Sequence, residues 1–396
     1  MNSFADELNR RLATLREQNL FRELRRVDSA QGTHIEIGGK SFLNFSTNDY
    51  LGLAHHPALK AAAGNAVEKF GAGAGASRLI CGSLAPFHEL EETLAAFKQT
   101  EAALTFSTGY AAAVGTITAL CGQDDIIILD KLVHACIVDA AKLSGAKLRI
   151  FAHNDLEDLE EKLKWAKEVQ SPKHKAQNHT LVVTESIFSM DGDAAPLREI
   201  VALKEKYGAW LMVDEAHATG ILGKNGRGLA DALSVSGQIE IQMGTLGKAL
   251  GASGGYICGS RALIDFLVNR ARSFIFSTAP VPAAAAAATA AINLVQSVEG
   301  ETLRKNLFAR IGEFNSKLIT HNSKPGSAII PLILGDENKT LAAATQLREQ
   351  GIFVPAIRYP TVARGAARLR VTFSAAHTAA DVTELIAALN KLAIGN

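Results

Sequence analysis

The chain of 396 residues is long enough for two or three domains with a full hydrophobic core. Hydrophobic residues make up 47% and charged residues 20%, and the net charge of +1 excludes a large single-sign field of the kind that binds nucleic acid or anionic membranes. The four cysteines include no CxxC pair, so we expect neither a zinc site nor a disulfide framework, but reduced thiols in a cytoplasmic protein.

The N-terminal segment from Phe4 to Leu24 places leucines at helical spacing among charges of both signs, which predicts an amphipathic helix. It has no apolar core region, so we do not interpret it as a signal peptide. The alanine run Ala283–Ala288 predicts a packed helix, because a membrane span needs about 20 apolar residues. We therefore expect no membrane partner.

Short apolar strands alternate with amphipathic helices through the middle of the chain. This alternation predicts an α/β fold, with a mostly parallel sheet between helices. The predicted strands are Leu104–Ser107, Ile126–Asp130, Leu148–Ala152, Leu181–Glu185, Trp210–Asp214, Ile241–Gly244 and Tyr256–Gly259. The clearest helices between them are Glu89–Lys98, Leu156–Val169 and Leu197–Tyr207.

The composition changes near Pro280, and a smaller α+β pattern follows the alanine-rich helix. Its predicted elements are strand Ala328–Leu334, helix Leu341–Gln350, strand Arg368–Ser374 and helix Ala379–Leu392. Thr378 and Asp381 have the spacing of a capping box for the last helix. We therefore expect an N-terminal segment (1–50), a large cofactor-binding domain (51–282) and a small C-terminal domain (283–396).

Lys248 follows a predicted strand and lies between Gly247 and Gly251. A lysine that forms a Schiff base must be partly desolvated so that its amine is neutral, and the backbone around it must allow a planar ring to approach. The segment is not a P-loop, because Ala249 stands where Ser or Thr is required. On its own, this pattern also suits an ordinary structural lysine.

Asp214 ends the predicted strand Trp210–Asp214, and His217 follows three residues later. Ligands bind at the carboxyl ends of strands in open α/β sheets, and an acid there can pair with a protonated pyridine nitrogen. The alternative is an acid that only caps a strand. Asp214 and Lys248 together favour pyridoxal 5'-phosphate (PLP) as the cofactor.

Two more strand ends carry residues that suit such a cofactor. The helix that begins after Thr108 offers free amide groups and a positive dipole to a phosphate, although an ordinary strand–helix turn has the same pattern. His134 follows strand Ile126–Asp130, where its ring could stack on a planar cofactor, although a lone histidine is more often a core or surface residue.

An ordered set of motifs closely resembles those of the α-oxoamine synthases, which have the fold of type I PLP enzymes. The motifs are Asn48–Leu53, Ser107–Tyr110, Asp130 with His134, Phe188–Asp193, Val213–His217, Thr245–Lys248 and Arg368–Arg370. The resemblance covers the chain from about Arg22 to its end. It implies a homodimeric PLP-dependent acyltransferase that condenses an amino acid with an acyl thioester and releases CO2.

The resemblance also implies a role for each matching residue at the cofactor. Lys248 would form the Schiff base and move the α-proton, and Asp214 would pair with the pyridinium nitrogen. His217 and Ser189 would hydrogen-bond near the phenolic oxygen, and His134 would stack on the ring and meet the substrate. The residues expected to hold the phosphate are Gly109, Tyr110, Thr245 and, from the partner subunit, Thr278.

For the substrates, the resemblance places Asn48 and Arg370 near the amino-acid carboxylate and Arg22 and Thr361 near the acyl group. Within the family, the chain is similar to members that join L-alanine to a pimeloyl thioester. The residues that carry this similarity are Arg22, Ala216 before His217, Phe276–Pro280 and Pro360–Val362.

Three alternatives remain open at this point. The first is another synthase of the family, such as the glycine-using 2-amino-3-ketobutyrate ligase. The second is an aminotransferase on the same fold, since one fold hosts many reactions. The third is a non-catalytic assembly protein. We expect no metal and no nucleic-acid partner, and the sequence does not distinguish a CoA thioester from a carrier-protein thioester.

Overall fold

The computed structural model of the chain describes residues 3–169, 178–317 and 326–392. The chain forms two compact units, one of Met1–Thr47 with Leu307–Asn396 and the other of Asn48–Asn306. The division after Asn306 lies later in the chain than the change of composition near Pro280. The reason is that the alanine-rich helix Pro282–Val295 packs against helices Pro57–Phe70 and Ala85–Lys98 of the second unit.

The predicted strands and helices occur in their predicted order, and most of their bounds differ from the prediction by a few residues. The helices are α1 (Phe4–Glu17), α2 (Pro57–Phe70), α3 (Ala85–Lys98), α4 (Gly109–Leu120), α5 (Ala135–Ser144), α6 (Leu156–Val169), α7 (Leu197–Tyr207), α8 (Leu229–Ala232), α9 (Arg261–Arg270), α10 (Arg272–Ile275), α11 (Pro282–Val295), α12 (Val298–Lys317), α13 (Glu337–Glu349) and α14 (Ala379–Lys391). The strands are β1 (His34–Ile37), β2 (Lys40–Asn44), β3 (Ala102–Phe106), β4 (Ile126–Asp130), β5 (Lys147–Phe151), β6 (Thr180–Glu185), β7 (Trp210–Asp214), β8 (Ile241–Thr245), β9 (Gly255–Gly259), β10 (Ile329–Gly335), β11 (Ile352–Phe353), β12 (Ala356–Ile357) and β13 (Ala367–Thr372).

The second unit is built on a seven-stranded sheet in the order β3-β9-β8-β7-β6-β4-β5. Strands β5, β4, β6, β7 and β8 pair in parallel, and β9 is antiparallel to both of its neighbours, β8 and β3. All seven predicted strands lie in this one sheet. The predicted α/β class with a mostly parallel sheet is therefore confirmed.

Helices cover both faces of this sheet, which explains why its central strands are apolar throughout rather than alternating. In β4, Ile127 and Leu129 pack in the core formed with α4, α5 and α9, whereas Ile126 and Ile128 pack in the core formed with α6 and α7. Each of the four side chains is at most 1% exposed. Burial on this scale stabilises the fold by about 1.5–3 kcal/mol per large aliphatic side chain.

The first unit contains two three-stranded sheets, β1-β2-β11 and β10-β13-β12. Helix α13 packs against β10 and β13, and the rings of Phe314 and Phe373 contact each other at a tilt of 59° in the core, with their centres 5.2 Å apart. Thr378 and Asp381 form the predicted capping box of α14. Helix α1 ends at Glu17 rather than near Leu24, because Asn19 adopts a left-handed conformation with φ of 57°.

Among the described residues, no helix combines the length and the apolar character needed to cross a membrane.

Candidate active site

One edge of the seven-stranded sheet collects the carboxyl ends of its parallel strands. Asp130, Glu185, Asp214 and Thr245 end β4, β6, β7 and β8, and the register pairs Glu185 with Asp214. In open α/β sheets, ligands bind at this edge. Most of the sequence-predicted cofactor residues stand at these strand ends or follow them, or that of β3, in the chain; the exception is Thr278, which comes after α10.

Asp214 and Glu185 are buried carboxylates on adjacent strands, 5% and 2% exposed. Asp214 Oδ1 accepts the N–H of Ala216 at 2.9 Å, and Glu185 Oε1 accepts the N–H of His134 at 2.5 Å. Burial raises the pKa of Asp214, although the nearby charge of Lys248 lowers it. Burial and the neighbouring Asp214 raise the pKa of Glu185 to about 8. A positive group beside Asp214 would therefore be strongly favoured.

Lys248 lies on the connection from β8 to β9, with its Nζ 2.6 Å from Nε2 of His217. The other ring nitrogen of His217, Nδ1, lies 2.7 Å from the Tyr50 hydroxyl. That hydroxyl donates to Oδ1 of Asn48 at 3.2 Å. The structure thus brings together three predicted site residues, Lys248, His217 and Asn48, through one residue that the sequence did not single out, Tyr50.

His134 caps the N-terminus of α5. Its Nδ1 accepts the N–H of Cys136 at 3.2 Å, which leaves Nε2 as the protonated nitrogen of the neutral ring. Partial burial lowers the pKa of His134, although the charge of Asp214 raises it. A neutral and accessible imidazole is the form that suits stacking on a planar ring.

The N-terminus of α4 is shaped to receive an anion. Thr108 caps the helix, and its Oγ1 accepts the N–H of Ala111 at 3.0 Å. The N–H groups of Gly109 and Tyr110 belong to the first turn, which has no acceptor within the helix. Thr245 lies beside them, because a Cβ built on Gly109 would be 3.9 Å from the Thr245 Cβ. The Thr245 hydroxyl donates to the carbonyl of Gly254 at 3.0 Å.

These groups fit PLP. The site offers a lysine amine for the aldehyde, a buried carboxylate with a raised pKa for the ring nitrogen, and a helix N-terminus for the phosphate. All three lie at the same strand edge of the second unit.

Ser189 and Thr278 complete the predicted cofactor residues. Ser189 is 9% exposed, and its backbone N–H bonds to the Glu185 carboxylate. Thr278 is exposed and pairs with Ser77 through an isolated antiparallel bridge. The direct role of either side chain at the cofactor stays a prediction.

A histidine that the sequence analysis missed joins two of the loops at this edge. His153 bonds to Asp130 Oδ1 at 3.0 Å through Nδ1 and to Asp193 Oδ2 at 2.9 Å through Nε2. Asp130 precedes the loop to His134, and Asp193 closes the loop that carries Ser189. The sequence could have indicated His153 as a candidate site residue, because it comes directly after a predicted strand.

In the first unit, the two residues predicted to meet the acyl substrate are in contact. An amino group of the Arg22 guanidinium donates to Thr361 Oγ1 at 3.3 Å. Arg358, which the sequence did not single out, donates to the carbonyls of Asn19 and Phe21 at 2.6 and 3.0 Å and so fixes the segment leading to Arg22. Arg370 is 5% exposed and lies on β13 opposite Pro331.

Comparisons with known proteins identify the family and the fold. The family model for aminotransferase class I and II matches residues 40–389. The 8-amino-7-oxononanoate synthase of Geobacter sulfurreducens is 46% identical, over 96% of this chain and 96% of its own length.

Two solved structures show the same fold over most of the chain. Serine palmitoyltransferase from S. paucimobilis, solved with bound PLP and myriocin, has a TM-score of 0.89 at 30% identity and covers 98% of this chain and 97% of its own. The 8-amino-7-oxononanoate synthase from Francisella tularensis has a TM-score of 0.73 at 29% identity and covers 88% and 97%. The chain therefore belongs to the class I and II aminotransferase family of fold type I PLP enzymes, among relatives that are 8-amino-7-oxononanoate synthases.

Proposed function

We propose that this chain is a PLP-dependent acyltransferase of biotin biosynthesis that condenses L-alanine with a pimeloyl thioester to give 8-amino-7-oxononanoate, CO2 and a free thiol. The observation that carries the proposal is the Lys248 amine 2.6 Å from His217, at the strand edge where Asp214 is buried. The names of the relatives support the product. CoA and carrier-protein thioesters present the same reacting bond, so the proposal includes both.

PLP, when bound, supplies an electron sink that stabilises negative charge at the amino-acid Cα. Lys248 would hold it covalently, Asp214 would hold its ring nitrogen, and the N–H groups of Gly109 and Tyr110 with Thr245 would hold its phosphate. The buried position of Asp214 keeps its carboxylate out of water, so that its charge acts at short range on a cationic partner.

The chain's own proton chemistry centres on Lys248. Once its Nζ is a free amine, it takes the α-proton of alanine, and the resulting ammonium donates to Nε2 of His217 at 2.6 Å. The neutral ring of His134 adds no competing positive charge at this step. Lys248 can then return a proton to Cα at the end of the reaction.

In the overall reaction, each bond that breaks on the substrates is matched by one that forms. A bond forms between Cα of alanine and the thioester carbonyl carbon, while the C–S bond breaks and the sulfur leaves as a thiol. The carboxyl carbon of alanine leaves as CO2, and Cα regains a proton to give the amino-ketone.

The exposed guanidinium of Arg22, beside Thr361, suits an acyl substrate with a polar end, because a free pimeloyl group ends in a carboxylate that a guanidinium binds well. We expect the selectivity for the amino acid to be weaker than the selectivity for the acyl group. Alanine and glycine differ by one methyl group, which a pocket discriminates by only about 1–3 kcal/mol. Some use of glycine is therefore compatible with the proposal.

We also propose that the chain is a homodimer that works in the cytoplasm. Exposed apolar side chains lie near Thr278 and near its bridge partner Ser77 in the chain: Phe276 is 70% exposed and Ile80 is 80% exposed. A two-fold dimer would cover them. The four free cysteines suit a reducing compartment.

The test is an assay of thiol release with purified, PLP-loaded protein. L-Alanine is paired with pimeloyl-, acetyl-, succinyl- and palmitoyl-CoA, and we expect an amino-ketone only with the pimeloyl thioester. A preference for glycine with acetyl-CoA, or for serine with palmitoyl-CoA, would refute the proposed substrates.

A matched pair of variants separates the role of Arg22 from general charge. Arg22→Ala should raise KM for the pimeloyl thioester, whereas Arg26→Ala, in the same segment and paired with Asp28, should not. If both changes raised KM equally, Arg22 would have no specific role in binding the acyl group.

A further inference from the structure

A chain of hydrogen bonds crosses three separate segments of the second unit. It links Lys248 Nζ to His217 Nε2 at 2.6 Å, His217 Nδ1 to Tyr50 Oη at 2.7 Å, and Tyr50 Oη to Asn48 Oδ1 at 3.2 Å. Tyr50 is completely buried, so its hydroxyl has no bulk water to bond with. Its bonds to His217 and Asn48 are therefore bonds that a buried hydroxyl needs.

The chemistry of the atoms sets the direction of each bond. The amide oxygen of Asn48 can only accept, and a tyrosine hydroxyl has one proton to donate. The hydroxyl proton of Tyr50 therefore points to Asn48, and its oxygen must accept from His217. This requires the proton of His217 to be on Nδ1, which leaves Nε2 as the nitrogen that gains or loses a proton beside Lys248.

The three segments are held at close backbone contact, so this geometry is not free to drift. The Asp49 carboxylate accepts the N–H groups of Leu53 and Ala54 at 2.7 and 3.0 Å and closes the turn that carries Tyr50. Gly251, three residues after Lys248 and with φ of 59°, packs so tightly here that a Cβ would lie 2.5 Å from the Ala54 nitrogen.

A second glycine holds the His217 segment in the same way. Gly220 has φ of 92°, and a Cβ on it would lie 2.7 Å from the Cβ of Ala249. The loop after β7 is thereby fixed against the turn that carries Lys248. The segment that carries Lys248 is therefore packed tightly against both the Tyr50 segment and the His217 segment.

We infer that Tyr50 is a positioning residue that sets the tautomer of His217 and the orientation of the Asn48 amide. Its hydroxyl keeps the Nδ1 proton of His217 in place in both charge states of the ring, so that Nε2 alone exchanges protons with Lys248. It also holds Oδ1 of Asn48, which turns the Nδ2 donor of that amide towards the amino-acid carboxylate. The part that concerns the carboxylate rests on the proposed function, and the part that concerns the tautomer does not.

The consequence is a coupling between substrate binding and proton transfer. The Tyr50 hydroxyl bonds to His217, which exchanges protons with Lys248, and to Asn48, whose amide is proposed to bind the amino-acid carboxylate. Loss of the hydroxyl should therefore impair both KM for the amino acid and kcat, and it should leave KM for the thioester unchanged.

The experiment compares Tyr50→Phe with Tyr256→Phe. Tyr256 is an equally buried tyrosine of the same unit, and its hydroxyl bonds to Thr219 at 2.8 Å, outside the chain of bonds to Lys248. Each variant loses one buried hydroxyl and keeps its ring, so both should fold and melt at similar temperatures. The comparison separates the loss of a buried hydrogen bond from the loss of this particular one.

The first measurement is the tautomer of His217, read from nitrogen-15 chemical shifts of the full chain with and without PLP. A His217→Gln variant identifies the signal. We expect a protonated Nδ1 in the wild type and in Tyr256→Phe, and loss of that preference in Tyr50→Phe. A proton on Nε2 alone in the wild type would overturn the inference, even if Tyr50→Phe did not fold.

The second measurement is steady-state kinetics with L-alanine and the pimeloyl thioester. We expect kcat/KM for alanine to fall about 10- to 100-fold in Tyr50→Phe, the size expected when a buried donor and acceptor lose their partner. Tyr256→Phe should keep wild-type kinetics, and equal losses in both variants would contradict a positioning role. If the wild type released no thiol from any pimeloyl thioester, the proposed function would fail, and the tautomer would still decide the role of Tyr50.

Discussion

His153 offers a quantitative test of how the two loops at the strand edge are held. Its ring lies between Asp130, whose side chain is fully buried, and Asp193, whose side chain is 11% exposed. Burial alone would lower the pKa of His153, but its hydrogen bonds to the two carboxylates and their charges outweigh burial and raise the pKa to about 9. At neutral pH the ring is therefore an imidazolium that bonds to both loops.

The magnitude follows from linkage between proton binding and folding. A pKa of about 9 in the folded chain, against the ordinary value of 6.5, corresponds to about 3 kcal/mol of stability from the charged ring. Because the folded pKa is the higher one, this contribution is complete below about pH 6.5. It is lost as the pH rises, by about 1.4 kcal/mol per pH unit, until the folded ring deprotonates near pH 9.

The perturbation is His153→Gln, which keeps a hydrogen-bonding side chain without the charge. We expect the difference in unfolding free energy from the wild type to be largest at pH 6 and to shrink steadily towards pH 9.5, measured by denaturant unfolding of the full chain. The matched control is His56→Gln. His56 is 22% exposed against 24% for His153, but its one carboxylate partner, Glu299, is 58% exposed.

An exposed ion pair contributes only about 0–1 kcal/mol, so the control should change the free energy of unfolding by only a small amount. If the difference in unfolding free energy between wild type and His153→Gln did not change between pH 6 and 9.5, a charged His153 would not be what stabilises the two loops. An imidazole of His153 that titrates near its ordinary pKa by NMR would lead to the same conclusion.

The remaining predictions concern the reaction and the assembly. Lys248→Ala should keep the fold and lose the borohydride-reducible PLP linkage, with a fall in turnover of about 10³-fold or more. The surface change Lys224→Ala should leave the linkage and the turnover intact. A linkage that survives in Lys248→Ala would show that Lys248 is not the Schiff-base residue. Asp214→Asn should slow exchange of the α-proton of L-alanine by about 10²-fold or more, because an amide does not hold a positive ring nitrogen, and normal exchange would contradict the assignment. Mixing inactive Lys248→Ala and Thr278→Ala chains should restore activity in hybrid dimers if each site uses both subunits, and a fully active monomer would contradict the shared site.

Short-range patterns in the sequence were sufficient to predict the main elements and to choose Lys248 and Asp214 as candidate cofactor residues. The strand ending at Asp214 and the helix beginning after Thr108 have the predicted places, because hydrophobic periodicity and capping depend on residues within a few positions of one another. Lys248 and Asp214 could be chosen because each directly follows or ends a strand. The resemblance to a known family added the roles of residues such as Arg22 and Thr361, which no local pattern singles out.

The tertiary structure decided which distant residues meet. Tyr50 and His217 are 167 positions apart and Arg22 and Thr361 are 339 apart, yet each pair is in contact. The register of β6 against β7 places Glu185 beside Asp214, so two buried strand-end acids lie together and the charge of Asp214 helps to raise the pKa of Glu185. Such contacts depend on strand order and on how loops pack around glycines, which are properties of the whole fold. A sequence read by itself contains each of these residues but not the distances between them, and the chemistry of the site depends on those distances.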